Sequence, residues 1–405
     1  MGCYKSAMLV LPPAFLTLPT PESPWPRLVR KVRLLALRRL LTWPLSDLPP
    51  TLRSSLTRLR SVLTDTARRH PGATLSAIGA PDVLPRLLSL EHPLIDPATL
   101  LAAVGPDLLA ALPAHALTEA ILWDHPAPGL SAPRLGFALD TPLSVVVADP
   151  SGLSLALSDG TRLSVPPPGA SCPYHPLHPD LPRLHLSTRD TNPLSMLEEH
   201  PDKSGNATSL GGRDVTAWVS AMRDALELIA VALPEWWRAL PLSLERVVPV
   251  GFEAERHLSA SYLEAPGVAW MTLHPDPLTL AEAVVHETQH GRLNTLLWLD
   301  PVLKNGRSEW TASPVRPDLR PLSGVLLAVH AFVPVAAMHA RLAAMKHPLS
   351  QTPHFQRRRE EVLESNARGL ITVEARGLPT AAGQRLLSGL RRLHDECSTW
   401  NTSPK

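Results

Sequence analysis

The stretch Leu278-Thr-Leu-Ala-Glu282-Ala-Val-Val-His286-Glu287-Thr-Gln-His290-Gly-Arg-Leu293-Asn294-Thr-Leu-Leu297 decides how this chain is read. His286 and His290 are four residues apart, which on an α-helix places them one turn apart on one face. Two imidazoles so placed can point at one metal ion, and the pattern is H-E-x-x-H. Glu287 lies about 100° round the helix from His286 and can serve an ion-bound water without being a ligand. The apolar residues Leu278, Leu280, Val284 and Val285 before the motif, and Leu293, Leu296 and Leu297 after it, predict a buried helix over about 278–299. Buried histidines need partners, which favours a metal over two chance surface residues.

A third ligand would decide the chemistry. The metzincin pattern needs Gly at 293 and His at 296; Leu293 and Leu296 stand there and exclude it. Two candidates stay open. Glu309 has nearly the spacing at which a thermolysin-like site takes its third ligand, but the stretch Asn305-Gly306-Arg-Ser-Glu309-Trp310 reads as a loop. His330 lies inside the apolar run Gly324–Phe332, where a lone histidine is commonly a satisfied core residue but, beside a histidine pair, is the better ligand candidate. Three H-x-D triplets, at His178-Pro-Asp180, His200-Pro-Asp202 and His274-Pro-Asp276, have the two-ligand start of a facial triad. Their central prolines favour turns instead.

Outward from the motif, the texture is mostly helical. Helices are expected at about 48–69, 81–91, 97–123, 214–232 (opened by Asp214 as N-cap), 322–345, 355–369 and 380–395. The basic run Arg27–Leu40 predicts an amphipathic helix, read as a solvated face with contact to an acidic peptide or membrane as the rival. Alternating or apolar stretches at 143–148, 153–157 and 161–165, between turn signals, predict a small antiparallel meander, and further strands are expected at 246–250 and 268–273. The fold class is therefore α+β, mostly helical, with a buried H-E-x-x-H helix and a small antiparallel sheet. An N-terminal helical region, 1–134, precedes a metal-binding catalytic region, 135–405.

The 405 residues suffice for a core without disulfides. Three cysteines, with no C-x-x-C pair, point to a reducing, cytoplasmic setting and away from a cysteine zinc site. A net charge of +2 excludes the strong basic field of a nucleic-acid binder. No unbroken apolar run has a membrane span's length, so no span is expected. Ala7–Leu18 has a weak export-signal look, interrupted by two prolines.

Beyond the motif, several segments resemble the HExxH-motif family of peptide-modification proteins associated with ribosomally made, modified peptides. They are Asp190-Thr-Asn192-Pro193, His200-Pro-Asp-Lys203-Ser-Gly205-Asn206, His257-Leu-Ser259-Ala-Ser261-Tyr262, Met271-Thr-Leu-His274-Pro275, Asn294, and Ser313-Pro-Val-Arg316-Pro-Asp318-Leu-Arg320-Pro321-Leu322. The resemblance covers roughly 185–345, with Val315 where members commonly have Trp. It implies an iron(II) and 2-oxoglutarate dependent dioxygenase that hydroxylates the β-carbon of a residue in a precursor peptide. Carried over, His286, His290 and His330 hold the iron. The far carboxylate of 2-oxoglutarate then needs a guanidinium, from Arg316 or Arg320, with Ser259, Ser261 and Tyr262 as hydroxyl donors. Asn192, Lys203 and Asn206 either join that site or cap turns. Two rivals stand beside this reading: a zinc peptidase with Glu287 as general base, and a metal-stabilised peptide-binding partner without turnover.

Overall fold

A computed structural model of the chain describes residues 18, 25–157, 159–197, 199–200, 203–312 and 318–399. Most of Ala7–Leu18, Val315, Arg316, the side chain of Lys203, and Pro201 and Asp202 of the second H-x-D triplet lie outside the described residues.

The basic N-terminal helix is α1 (Trp25–Thr42), which buries Leu28, Val32, Ala36 and Leu40, each four residues after the last. Its cations are partly used inside the protein: Arg33 pairs with Glu245 at 3.2 Å, and Arg39 reaches the Leu88 carbonyl at 2.7 Å and Glu91 at 2.6 Å. Next come α2 (Pro50–Arg69), α3 (Pro71–Ile78), α4 (Leu84–Leu88) and α5 (Pro97–Ala111). The helix expected over 97–123 stops at Ala111. Leu112 precedes Pro113, whose ring disfavours helical backbone at the residue before it, and Leu112 is extended.

The expected meander forms as an antiparallel sheet in the order Ile121–Trp123, Val145–Asp149, Gly152–Ala156, Arg162–Leu163. It packs with α1 to α5 in one apolar core that runs from Val32 to Leu155. A boundary after residue 134 would cut this core, so the meander belongs with the N-terminal helices.

The sheet that belongs to the motif region is a different one, in the order Ser259–Ala260, Val268–Leu273, Arg246–Phe252, His185–Ser187, Tyr174–Pro176. Its three inner strands are parallel and its two outer strands antiparallel. The unbroken burial of Val268–Leu273 fits parallel strands covered on both faces. The helices α6 (Val215–Ala232), α7 (Pro234–Ala239), α8 (Pro277–Leu297), α9 (Leu322–Ala344), α10 (Pro353–Arg376) and α11 (Ala381–Thr399) complete this part. Residues from α6, α8, α9 and the sheet share one core. The helix α9 is long and apolar enough to cross a membrane, but most of it is packed inside the protein.

Candidate metal centre

The motif helix is placed by the turn before it. His274 Nδ1 accepts the Asp276 amide at 3.0 Å, and the Asp276 carboxylate accepts the Leu278 and Thr279 amides at 3.1 and 3.3 Å and the Thr279 hydroxyl at 2.8 Å. The triplet His274-Pro-Asp276 is thus a turn, as the proline argued, and its Asp276 caps the helix. His178 closes the same kind of turn on the Asp180 amide at 3.1 Å.

The helix α8 is buried almost all round. Glu282, His286, His290 and Asn294, four residues apart in succession, line one side of a cavity of about 620 Å³. The rings of His286 and His290 have centroids 4.3 Å apart, and Phe332 of α9 leans on His286 at 4.5 Å. The ligand atoms of His286, Glu287 and His290 lie within 4.8 Å of one another. Burial pushes the His290 pKa down to about 4, so its ring is neutral at neutral pH and has a lone pair to give. His290 Nδ1 is sealed from solvent and has no hydrogen-bond partner among the described residues. Glu287 is buried, with Oε1 3.9 Å from His286 Nε2.

Of the expected cofactor residues, Ser259, Ser261 and Arg320 line the cavity. Arg320 Nε also pairs with Asp318 at 2.9 Å. Tyr262 is not in the lining: its hydroxyl donates to the Ser195 carbonyl at 3.2 Å and accepts from Asn206, and its ring packs edge-on against Trp270. Asn206 therefore holds Tyr262, and Asn192 accepts and shapes the turn to Ser195. Neither lines the cavity.

Among the described residues, neither third-ligand candidate is in the ligand cluster or the cavity lining. His330 is fully buried but absent from the cavity wall and from the ligand cluster. The face of α9 on the cavity holds Gly324, Leu327, Ala328 and Phe332, and at 100° per residue His330 stands about 160° round the helix from each of the last two and about 60° from Leu327. Its carbonyl, 3.5 Å from Gln289 Nε2, meets the motif helix on another side. Glu309 forms an ion pair with Arg376 and is also absent from the lining.

Several cavity residues carried no role in the sequence reading. Glu282 accepts from His339 Nε2 at 2.8 Å and from Arg358 Nε at 2.9 Å. Burial alone would raise its carboxyl, but those two partners outweigh it and hold it below the usual range. Arg358 comes from α10, far along the chain, and no local pattern announces it. Glu282 and Asn294 were findable, since both continue the four-residue spacing of the histidines. His257 lines the cavity from the segment before Ser259.

No protein-family model matches this chain, and no curated protein matches it.

Proposed function

We propose that this chain is a metal-dependent peptide-modifying enzyme, and that it β-hydroxylates a residue of a ribosomally made precursor peptide with iron(II), 2-oxoglutarate and dioxygen. The supporting observation is the placement of His286, His290 and Glu287 on a cavity wall that also carries Arg320, Ser259 and Ser261. The donor set fits a divalent first-row metal, since neutral imidazole suits iron and zinc alike. His286 and His290 would hold the ion. Bound there with 2-oxoglutarate and dioxygen, it supplies the oxidising power for an unactivated C–H bond.

The chain's own residues do the rest. Phe332 fixes the plane of His286. Arg320 takes a carboxylate of 2-oxoglutarate in competition with Asp318, and the hydroxyls of Ser259 and Ser261 add donors. Leu327, Ala328 and Phe332 keep one wall apolar and exclude water. Such an enzyme would work in the cytoplasm on a peptide partner, without nucleic acid or membrane.

A zinc peptidase is the second reading. It is favoured by the buried carboxylate of Glu287 beside His286, where a general base for hydrolysis is needed. Against it, the Glu309 it would recruit is committed to Arg376. Metal analysis of anaerobically purified protein, with oxygen uptake on adding 2-oxoglutarate, separates the two. Iron with uptake is expected. Zinc without uptake would overturn the dioxygenase in favour of the peptidase.

A further inference from the structure

The proposed reaction leaves α1 without a role. Every charge on this helix is a cation: Arg27, Arg30, Lys31, Arg33, Arg38 and Arg39 stand among its 18 residues, with no aspartate or glutamate. Arg33 and Arg39 are taken up within the protein, by Glu245 and Glu91. At 100° per residue the other four fall with Leu34 in an arc of about 100°, opposite the buried face of Leu28, Val32, Ala36 and Leu40. All four cations are exposed, and Leu34 among them is 43 % exposed. From Arg27 to Arg38 this stripe runs about 17 Å along the helix axis.

The helix's own energetics oppose the pattern. Like charges three and four residues apart, as at Arg27, Arg30 and Lys31, repel one another. The same three stand in the first two turns, where the macrodipole favours anions. Among the described residues no carboxylate pairs with any of the three. The excess is local: residues 25–70 hold 11 Lys and Arg against 2 Asp, a net +9 in a chain of +2, so the rest of the chain carries −7. The stripe is also ordered in advance, because the inner face of α1 is locked into two cores. Trp25 and Leu28 pack with Leu293 of the motif helix, and Val32 to Leu40 pack in the N-terminal core.

We infer that this stripe docks an acidic, helix-forming segment of a partner protein, whose carboxylates flank an apolar side chain set against Leu34. A helix laid along α1 repeats the step of about 6 Å that separates Arg27 from Lys31. Charge complementarity calls for an anionic partner, and Leu34 selects its class. A phosphate backbone would take the cations and leave the leucine without a contact. An interfacial helix enters a membrane through its apolar face, and that face of α1 is already buried. The inference concerns binding alone and does not depend on the metal reading.

The test uses the full chain and two labelled synthetic helical peptides. In one, the glutamates and a central leucine repeat the spacing of the stripe; the other has the same composition with the glutamates spread round the helix. Fluorescence anisotropy is expected to show the patterned peptide bound about tenfold tighter, the worth of a few surface ion pairs, with affinity falling as salt rises. A variant with Arg27→Gln, Arg30→Gln and Lys31→Gln should lose that preference and, relieved of repulsion, melt no lower than the wild type. A second variant with Arg69→Gln, Arg307→Gln and Arg357→Gln removes the same charge from exposed positions elsewhere and should keep the preference. Equal binding of the two peptides by the wild type would overturn the inference. So would a preference that survives in the first variant, or one lost equally in both. Tighter binding to phosphatidylserine vesicles or to duplex DNA than to the patterned peptide, abolished in the first variant, would overturn it in favour of a membrane or a nucleic acid.

Discussion

At the residue scale, the chemistry depends on a few side chains whose roles separate cleanly by substitution. Glu287 distinguishes the two proposed reactions. If dioxygen is the oxidant, no general base has to activate water, and Glu287→Gln should lower hydroxylation without abolishing it. If hydrolysis is the reaction, the same change should remove nearly all of it. Steady-state turnover with and without 2-oxoglutarate reads the difference. Arg320 makes a second case. On the hydroxylase reading, Arg320→Ala should raise the 2-oxoglutarate concentration for half-maximal turnover by about tenfold or more, the worth of a lost charge-assisted pair of about 1.5–3 kcal/mol. Metal content should stay normal, because the guanidinium is not a ligand. His330 gives the contrary result to the one its sequence position suggests. Because it is buried and not among the residues that line the cavity, His330→Ala should keep its metal and lose stability by about 2–5 kcal/mol, as large-to-small core changes do. Metal stoichiometry beside a denaturant titration checks both halves; a metal-free His330→Ala protein that is otherwise folded would return His330 to the site.

At the scale of the element, α8 is a buried helix held at its start by Asp276. The cap satisfies two amides that begin the helix, so Asp276→Ala should cost about 1 kcal/mol, within a range of 0.5–2. The histidines lie more than two turns along, so metal affinity should change little. A thermal melt and a metal titration on one sample test this. The limits of most elements were legible because local chemistry sets them. Asp214 caps α6 as its position announced, whereas the end of α5 at Pro113, no less local, was placed too far along, at 123. The class of the motif's sheet was less legible. Strands at 246–250 and 268–273 were readable as apolar runs, but their parallel pairing depends on what lies between them in space. Periodicity carries no information on partner direction.

At the scale of the whole molecule, a buried ionic cluster joins the N-terminal core to the motif's sheet. Asp82 receives Arg246 through two bonds, at 2.9 and 2.5 Å, and Thr191 at 2.9 Å. Asp107 pairs with Arg86 and accepts the Ser131 amide at 2.7 Å. The two carboxyls shift in opposite directions. Burial would raise Asp82, but the bidentate Arg246 outweighs it and the pKa falls. Asp107 has no bidentate partner and feels Asp82 nearby, so burial prevails and its pKa rises to about 6. A folded-state value above the unfolded one means the stabilising contribution is complete below about pH 4 and is lost as pH rises through about 6. Wild type should therefore lose stability relative to Asp107→Asn between pH 4 and pH 7. Denaturant titrations of both proteins at the two pH values read it; a constant difference would place Asp107's ionisation elsewhere. Asp82→Asn should cost about 3–5 kcal/mol at neutral pH, since it leaves Arg246 buried without its carboxylate.

The sequence by itself determined the motif helix, its burial and the side-by-side placement of His286 and His290, because each is a consequence of helical spacing within a few residues. It also determined that the chain is α+β and mostly helical, since hydrophobic period and turn residues act locally. The tertiary structure alone decided which other groups share the cavity. His330 and Glu309 had plausible spacings, but neither is among the residues that line the cavity, and Glu309 pairs with Arg376. Arg358 and His257 arrive from segments distant in sequence, through helix packing and strand pairing that no local pattern encodes. A side chain's heading about a helix axis changes by 100° with each residue, so a ligand set drawn from several elements is settled only when their rotations are fixed against one another.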